Sequence, residues 1–128
     1  MITPLASATN LTAPLKGVEI LILDAQTVDE TKSTVVCPSV GIKNHTFTIR
    51  TSAALTGAVQ IETAHAYDYT GEWNPLGGGP IDLSTIPAAA AGVGILQLMF
   101  SNVTFTAARV RISTVVAGGT VSASYLGN

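Results

Sequence analysis

The densest group of residues that could do acid-base or metal chemistry is His65, Asp68 and Glu72. Neutral imidazole and carboxylate oxygens are ordinary metal ligands, and the same groups can transfer protons. Their spacing matches no established metal or catalytic motif, and a solvated loop accounts for these side chains equally well. The group alone therefore does not indicate an active site.

Other signatures of catalysis are missing from the sequence. No GxSxG, P-loop or GxGxxG motif follows a strand, and the glycines at 77–79 are followed by Pro80 rather than by the start of a helix. A Ser or Thr nucleophile would need an adjacent base, and the sequence marks no such pair. Cys37 is the single cysteine, which excludes an internal disulfide and a CxxC site. We expect no enzyme activity, no cofactor and no bound metal.

An aromatic group lies close to these polar residues in the sequence. Tyr67, Tyr69 and Trp73 are near carboxylates and Asn74, and aromatic faces beside polar groups can form a platform for a sugar ring. In the other interpretation Trp73 folds inward and caps one end of the core, flanked by the tyrosines. The chain has only 3 Tyr, 3 Phe and 1 Trp, and large aromatic residues dominate core burial. The sequence favours the inward position.

Short strands must position these residues. Apolar runs and apolar-polar alternation predict strands over residues 18–24, 31–37, 45–50, 57–66, 95–101, 109–117 and 120–126. The first of them, VEILILD, is apolar enough to predict a buried strand. On the alternating strands, the residues that share one face are Phe47 and Ile49; Val59, Ile61 and Thr63; Val110 and Ile112; and Val121, Ala123 and Tyr125.

The connections between the strands are short. Gly118-Gly119 separates the last two strands and predicts a tight hairpin, because glycine accepts the positive φ of a primed turn. Residues 70–80 are rich in Gly and Pro, which predicts turns in place of a strand or helix. Residues 84–92 predict one helical turn, with a hydroxyl near its start and Gly92 at its end.

This set of elements predicts an all-β fold. About seven or eight strands with almost no helix are typical of an antiparallel β-sandwich or jelly roll. Residues 16–128 are expected to form this single domain. Residues 1–15, MITPLASATNLTAPL, are uncharged and lack periodicity, which predicts an extended N-terminal arm. The arm is either a loose terminus or a segment that becomes ordered on a neighbouring subunit.

The composition narrows the classes of molecule that the protein is expected to bind. The chain of 128 residues has 6 basic residues and a net charge of −2, which argues against nucleic-acid binding. Only 11% of the residues are charged, and a surface short of charge favours association with protein. The longest apolar stretch, residues 88–100, is too short and too interrupted for a membrane span. No basic residue precedes Lys16, so we expect synthesis in a cytoplasm without a signal peptide.

Five segments carry a resemblance to a known group of proteins. They are TIRT at 48–51, TGAVQIE at 56–62, YTGEWNPLG at 69–77, ARVRIS at 108–113 and GGTVSASYLG at 118–127. Together they resemble small virion proteins of tailed bacteriophages, over most of residues 46–128. The resemblance implies a β-sandwich structural protein without catalytic residues.

The resemblance implies a capsid decoration or cement protein that binds the major capsid protein on the virion surface. The low charge and the uncharged arm add the expectation of a homotrimer. The alternative is a receptor-binding or glycan-binding module of a phage tail fibre or baseplate. The contact candidates of the first interpretation are Leu5, Leu11, Leu15, Arg50, Glu62, Arg109 and Arg111, and those of the alternative are Tyr67, Tyr69 and Trp73.

Overall fold

A computed structural model describes residues 10–12, 17–27, 33–36, 42–64, 73–86, 93–101, 105 and 107–128 of the chain. In these ranges the backbone forms ten strands and one short 3₁₀ helix, Leu83–Thr85. The strands are β1 (Asn10–Thr12), β2 (Glu19–Gln26), β3 (Ser33–Val36), β4 (Asn44–Thr51), β5 (Thr56–Ala64), β6 (Asn74–Pro75), β7 (Ile81–Asp82), β8 (Gly94–Ser101), β9 (Ala107–Ala117) and β10 (Val121–Gly127).

The strands form two sheets. The four-stranded sheet has the order β2-β10-β4-β8 and is antiparallel throughout. The six-stranded sheet has the order β1-β3-β9-β5-β6, with β7 also paired to β5. Within it β1 runs parallel to β3, and the other pairs are antiparallel.

The strand order is that of a jelly roll. To compare the order with a jelly roll, we leave out β1 and count β6 and β7 as one strand. This leaves eight strands, which we number from first to eighth along the chain, so that β2 is the first and β10 the eighth. One sheet then has the order first, eighth, third, sixth, and the other has the order second, seventh, fourth, fifth. Two interlocked Greek keys produce this arrangement. The all-β jelly-roll sandwich expected from the sequence is therefore confirmed.

The core lies between the inner faces of the two sheets. Phe47 and Ile49 of β4 are fully buried, as are Val59 and Ile61 of β5. The ring of Tyr125 packs edge-on against Phe47, with ring centroids 5.2 Å apart. Alternation with a period of two predicted this face, because successive side chains of a strand point to opposite sides.

The prediction of a hairpin at Gly118-Gly119 is wrong. This pair joins β9 to β10, but those strands lie in different sheets and do not pair. The turn packs on the residue 52–55 loop, where the backbone N–H of Ser52 donates to the carbonyl of Thr120 at 3.0 Å. A Cβ at Gly118 would lie 2.9 Å from the carbonyl oxygen of Ala54. Glycine is therefore needed here for close packing where the chain passes from one sheet to the other, and Gly118 also has a positive φ of +98°.

Three other local expectations change. The strand expected to be buried is β2, at the edge of its sheet, where Ile22 and Leu23 are buried but Leu21 is 58% exposed. Residues 74–75, expected in turns only, form the short strand β6 on β5. The helical turn starts earlier than predicted, because Asp82 caps it by accepting the Ser84 N–H at 2.9 Å.

The structure describes only part of the segment that is expected to form an extended N-terminal arm. Strand β1 lies inside the segment expected to be an arm, and it pairs with β3 of the same chain. Residues 1–9 and 13–16 lie outside the described residues. The ordering of the arm on another subunit stays a prediction.

Candidate functional site

A cluster of charged side chains lies on the outer face of the six-stranded sheet. The register of β5 and β9 places Arg109 opposite Glu62 and Arg111 opposite Gln60. Because Val110 points into the core, the arginines on either side of it point outward. We call Gln60, Glu62, Trp73, Arg109 and Arg111 the Glu62 cluster.

The Glu62 carboxylate accepts hydrogen bonds on both of its oxygens. Arg109 donates from Nε to Oε1 at 2.8 Å, and Arg111 donates from Nε to Oε2 at 3.2 Å. Gln60 donates to Oε2 at 2.6 Å. Glu62 is buried, with 4% exposure, so this carboxylate depends on these donors in place of water.

Trp73 covers the cluster from above. Its ring lies over Arg109, with the guanidinium carbon 4.2 Å from the ring centroid. This is a cation-π contact, and it is stronger where the cation is largely removed from water. The Arg109 side chain is only 13% exposed. The arrangement clamps the carboxylate in place, which suits structural support of the sheet face more than proton transfer.

This geometry corrects the sequence interpretation of the outer face. Glu62, Arg109 and Arg111 are separate contact candidates in the sequence, but they form one ion cluster, with Glu62 buried. No local pattern links position 62 to positions 109 and 111, because only the strand register brings them together. Their role as contacts for a capsid or subunit stays a prediction.

The prediction that Trp73 folds inward is also wrong. The ring stacks on an outward-pointing arginine, so it does not fold inward to cap the core. Its Nε1 is buried and has no hydrogen-bond partner within the described ranges. Tyr67 and Tyr69 lie outside the described residues. The glycan platform stays a prediction.

The outer face of the four-stranded sheet has a second, smaller network. The Ser124 hydroxyl donates to Glu19 Oε2 at 2.6 Å, and Arg50 donates to Ser124 Oγ at 3.2 Å. Arg50 lies 3.6 Å from the same Glu19 oxygen, and both charged side chains are about half exposed. Thr48 lies beside Ser124 in the sheet, and Gln97 lies next to Thr48. Hydroxyl and amide groups therefore fill the centre of this face.

His45 belongs to the core and not to a reactive cleft. It is 1% exposed, and its Nδ1 lies 2.6 Å from the hydroxyl of Tyr125. The ring of Phe105 packs against the imidazole, with centroids 4.3 Å apart. Burial raises the pKa of Tyr125 to about 12. The phenol is therefore neutral at physiological pH and holds the imidazole in the core.

The structure describes only one of the remaining candidate residues from the sequence. His65, Asp68 and Glu72 lie outside the described residues, as do Leu5 and Leu15, and Leu11 lies in β1. Across the described part of the chain, no three His, Cys, Asp or Glu side chains come together as a metal site would need. The same residues include no helix with the length and apolar character needed to cross a membrane.

A cavity lies at the end of the sandwich where the chain crosses between the sheets. Its volume is about 360 Å³. Its described lining is apolar or carries hydroxyl groups, and it includes Leu55, Leu83 and Ile86 beside Thr51 and Ser84. Such a lining offers shape and apolar contact more than acid-base chemistry.

Comparison with known proteins adds no further assignment. No protein family, curated protein sequence or solved structure matches this chain.

Proposed function

We propose that the protein is a non-enzymatic structural component of a bacteriophage virion. It acts as a decoration or cement protein that binds the major capsid protein and copies of itself, and so stabilises the shell. In this proposal it is made in the host cytoplasm and resides on the capsid surface. The observation that carries the proposal is that the charged groups of two clusters on the described outer faces are paired within the chain.

The paired charges lie in two places, and the first of them keeps one excess positive charge. Glu62 is held by Arg109 and Arg111 on one face, and Glu19 pairs with Arg50 on the other. Covering such a surface with another protein leaves few unpaired charges to desolvate, and an unpaired buried charge is the costly case. Broad faces of this kind suit lateral contact with a shell better than recognition in a cleft.

Copy number makes weak contacts sufficient. A cement protein adds interface area between capsid subunits, and simultaneous engagement at several sites multiplies modest affinities. The jelly roll is an architecture of viral capsid and lectin domains. Since a fold by itself does not determine function, this adds support only together with the outer faces and the sequence resemblance.

The direct test is mass spectrometry of purified phage particles, with copies of this protein counted against the major capsid protein. Hundreds of copies in each particle are expected. A handful of copies would indicate a tail location, and absence from particles would contradict the proposal. Binding of the purified protein to emptied capsids provides a second measurement, and failure to bind would also count against it.

The alternative function is a receptor-binding or glycan-binding module of a phage tail. It is favoured by one observation, the position of Trp73 on an outer face and not in the core. Replacing Trp73 with Ala should abolish sugar binding under this alternative and leave capsid attachment intact under the first proposal. Trp73→Phe is the matched control, because it keeps an aromatic face. Circular dichroism checks that both variants fold.

A further inference from the structure

Strand β8 (Gly94–Ser101) is an edge of the four-stranded sheet. In the described part of the chain it pairs with β4 alone, in a register that runs without a shift from Asn44↔Ser101 to Thr51↔Gly94. Its sequence, GILQLMFS, contains no charged residue and no proline. Natural edge strands are usually blunted by charges, prolines or bulges, since their free N–H and C=O groups are a template for another strand. β8 has none of these protections.

The side chains of β8 leave apolar surface on both faces. On the outer face Met99 is 76% exposed and Ile95 is 46% exposed, with Gln97 between them. On the inner face Leu96 and Leu98 pack against the core but are only partly buried. A strand added beside β8 would cover both rows.

The opposite edge of the same sheet, β2, is built differently. It carries the charged residues Glu19 and Asp24, and its pairing with β10 contains two register shifts. Ala25 has a positive φ of 49°. Because β2 is charged and irregular, it does not match β8, so head-to-tail association around a ring is disfavoured. The edge strand that suits β8 as a pairing partner is the β8 strand of a second copy of the chain.

We propose that two copies of this chain form a dimer in which their β8 strands pair antiparallel about a two-fold axis at Gln97. Directly opposed residues of an antiparallel pair lie on the same face, so the axis must pass through a residue position. An axis at Gln97 places Ile95 opposite Met99 of the second copy, and Leu96 opposite Leu98. An axis at Leu98 would instead oppose Ile95 to Ser101. No like charges meet in the Gln97 arrangement, since the strand has none.

This pairing joins the two four-stranded sheets into one continuous sheet. It is a two-fold assembly, and we propose it in place of the trimer expected from the low charge and the uncharged arm. It does not depend on the proposed virion role, because it follows from the two sheet edges alone. A dimer absent from virions would leave this inference standing. A monomer on capsids would overturn it and leave standing only the capsid-binding part of the proposed function.

The test measures the mass of the full chain by size-exclusion chromatography with light scattering. The expected mass is about twice the 13.1 kDa of one chain. Ile95→Lys with Met99→Lys opposes lysines across the axis, and we expect the mass to fall to that of one chain. Ile95→Lys with Met99→Glu opposes unlike charges, and we expect the dimer to return. Leu21→Lys, on the β2 edge, is the control and should remain dimeric.

Several results of that experiment would overturn the proposal: a monomeric or trimeric wild-type chain, a dimer that survives the two lysines, or dissociation by Leu21→Lys. Loss of the far-UV circular dichroism signal would show that a variant has failed to fold, and a second measurement covers that case.

The second measurement uses cysteine cross-linking on a Cys37→Ser background. Gln97→Cys places two thiols beside each other at the axis, and a short bis-maleimide should give a covalent dimer. Ser101→Cys places each thiol about 14 Å from the axis, at roughly 3.4 Å per residue, and should not cross-link efficiently. Absence of the Gln97→Cys product, or equal yields at the two positions, would overturn the pairing.

Discussion

Replacing Arg109 with Met tests the Glu62 cluster most directly. The substitution keeps much of the apolar stem and removes the guanidinium that donates to Glu62 and lies under Trp73. Glu62 is 4% exposed, so its carboxylate has little contact with water that could offset the lost donor. Arg111 and Gln60 still donate to the carboxylate, which limits the loss.

The expected loss follows from the contacts removed. A hydrogen bond to a charged group contributes about 1.5–3 kcal/mol, and a largely desolvated cation-π contact contributes about 2 kcal/mol. Removing one partner of a fully buried ion pair costs about 3–5 kcal/mol, and the remaining donors place this case near or below that range. We expect Arg109→Met to lower the free energy of unfolding by about 2–4 kcal/mol. At about 4 °C for each kcal/mol, Tm falls by about 8–16 °C.

The assay is urea denaturation followed by circular dichroism, since Trp73 fluorescence will itself change with the substitution. Arg50→Met is the matched control, because Arg50 and Glu19 are half exposed and such a pair contributes about 0–1 kcal/mol. A double-mutant cycle with Glu62→Gln isolates the coupling between Arg109 and Glu62. If Arg109→Met costs no more than Arg50→Met, or if the cycle gives no coupling, the cluster does not stabilise the fold as argued.

Two further substitutions test the crossing turn and the buried phenol. Gly118→Ala should cost about 1–3 kcal/mol more than Gly78→Ala, because both glycines have positive φ but only the first faces a carbonyl, that of Ala54; equal unfolding midpoints in urea would contradict this. Tyr125→Phe should cost about 1–3 kcal/mol, since it removes the buried hydrogen bond between the phenol and the His45 imidazole. Because the folded pKa of Tyr125 is raised to about 12, its contribution to stability is complete below pH 10 and is lost as the pH rises from 10 to 12. The urea midpoint of the wild type should therefore fall more steeply over that range than that of Tyr125→Phe, and parallel curves would refute the assignment.

The sequence predicted the fold class and most of the strands. Alternation marked Phe47, Ile49, Val59 and Ile61 as inward-pointing, and all four are fully buried. The prediction worked because the two-residue period of a strand is local, and the residues on one face can be read without knowledge of the partner strand. The run at 18–24 misled because its apolar residues do not reveal whether the strand lies at the edge or in the centre of a sheet.

The tertiary structure decided which strands meet. Gly118-Gly119 has the sequence of a hairpin, yet β9 and β10 each have other partners on both sides, and the glycines serve a crossing between sheets. The Glu62 cluster likewise depends on the register of β5 against β9, which joins residues 47 positions apart. Side-chain periodicity assigns a residue to a face, but strand order and register are set by packing of the whole core. The inward faces were therefore determined by the sequence alone, whereas the ion cluster and the position of β8 at a sheet edge were decided by long-range pairing.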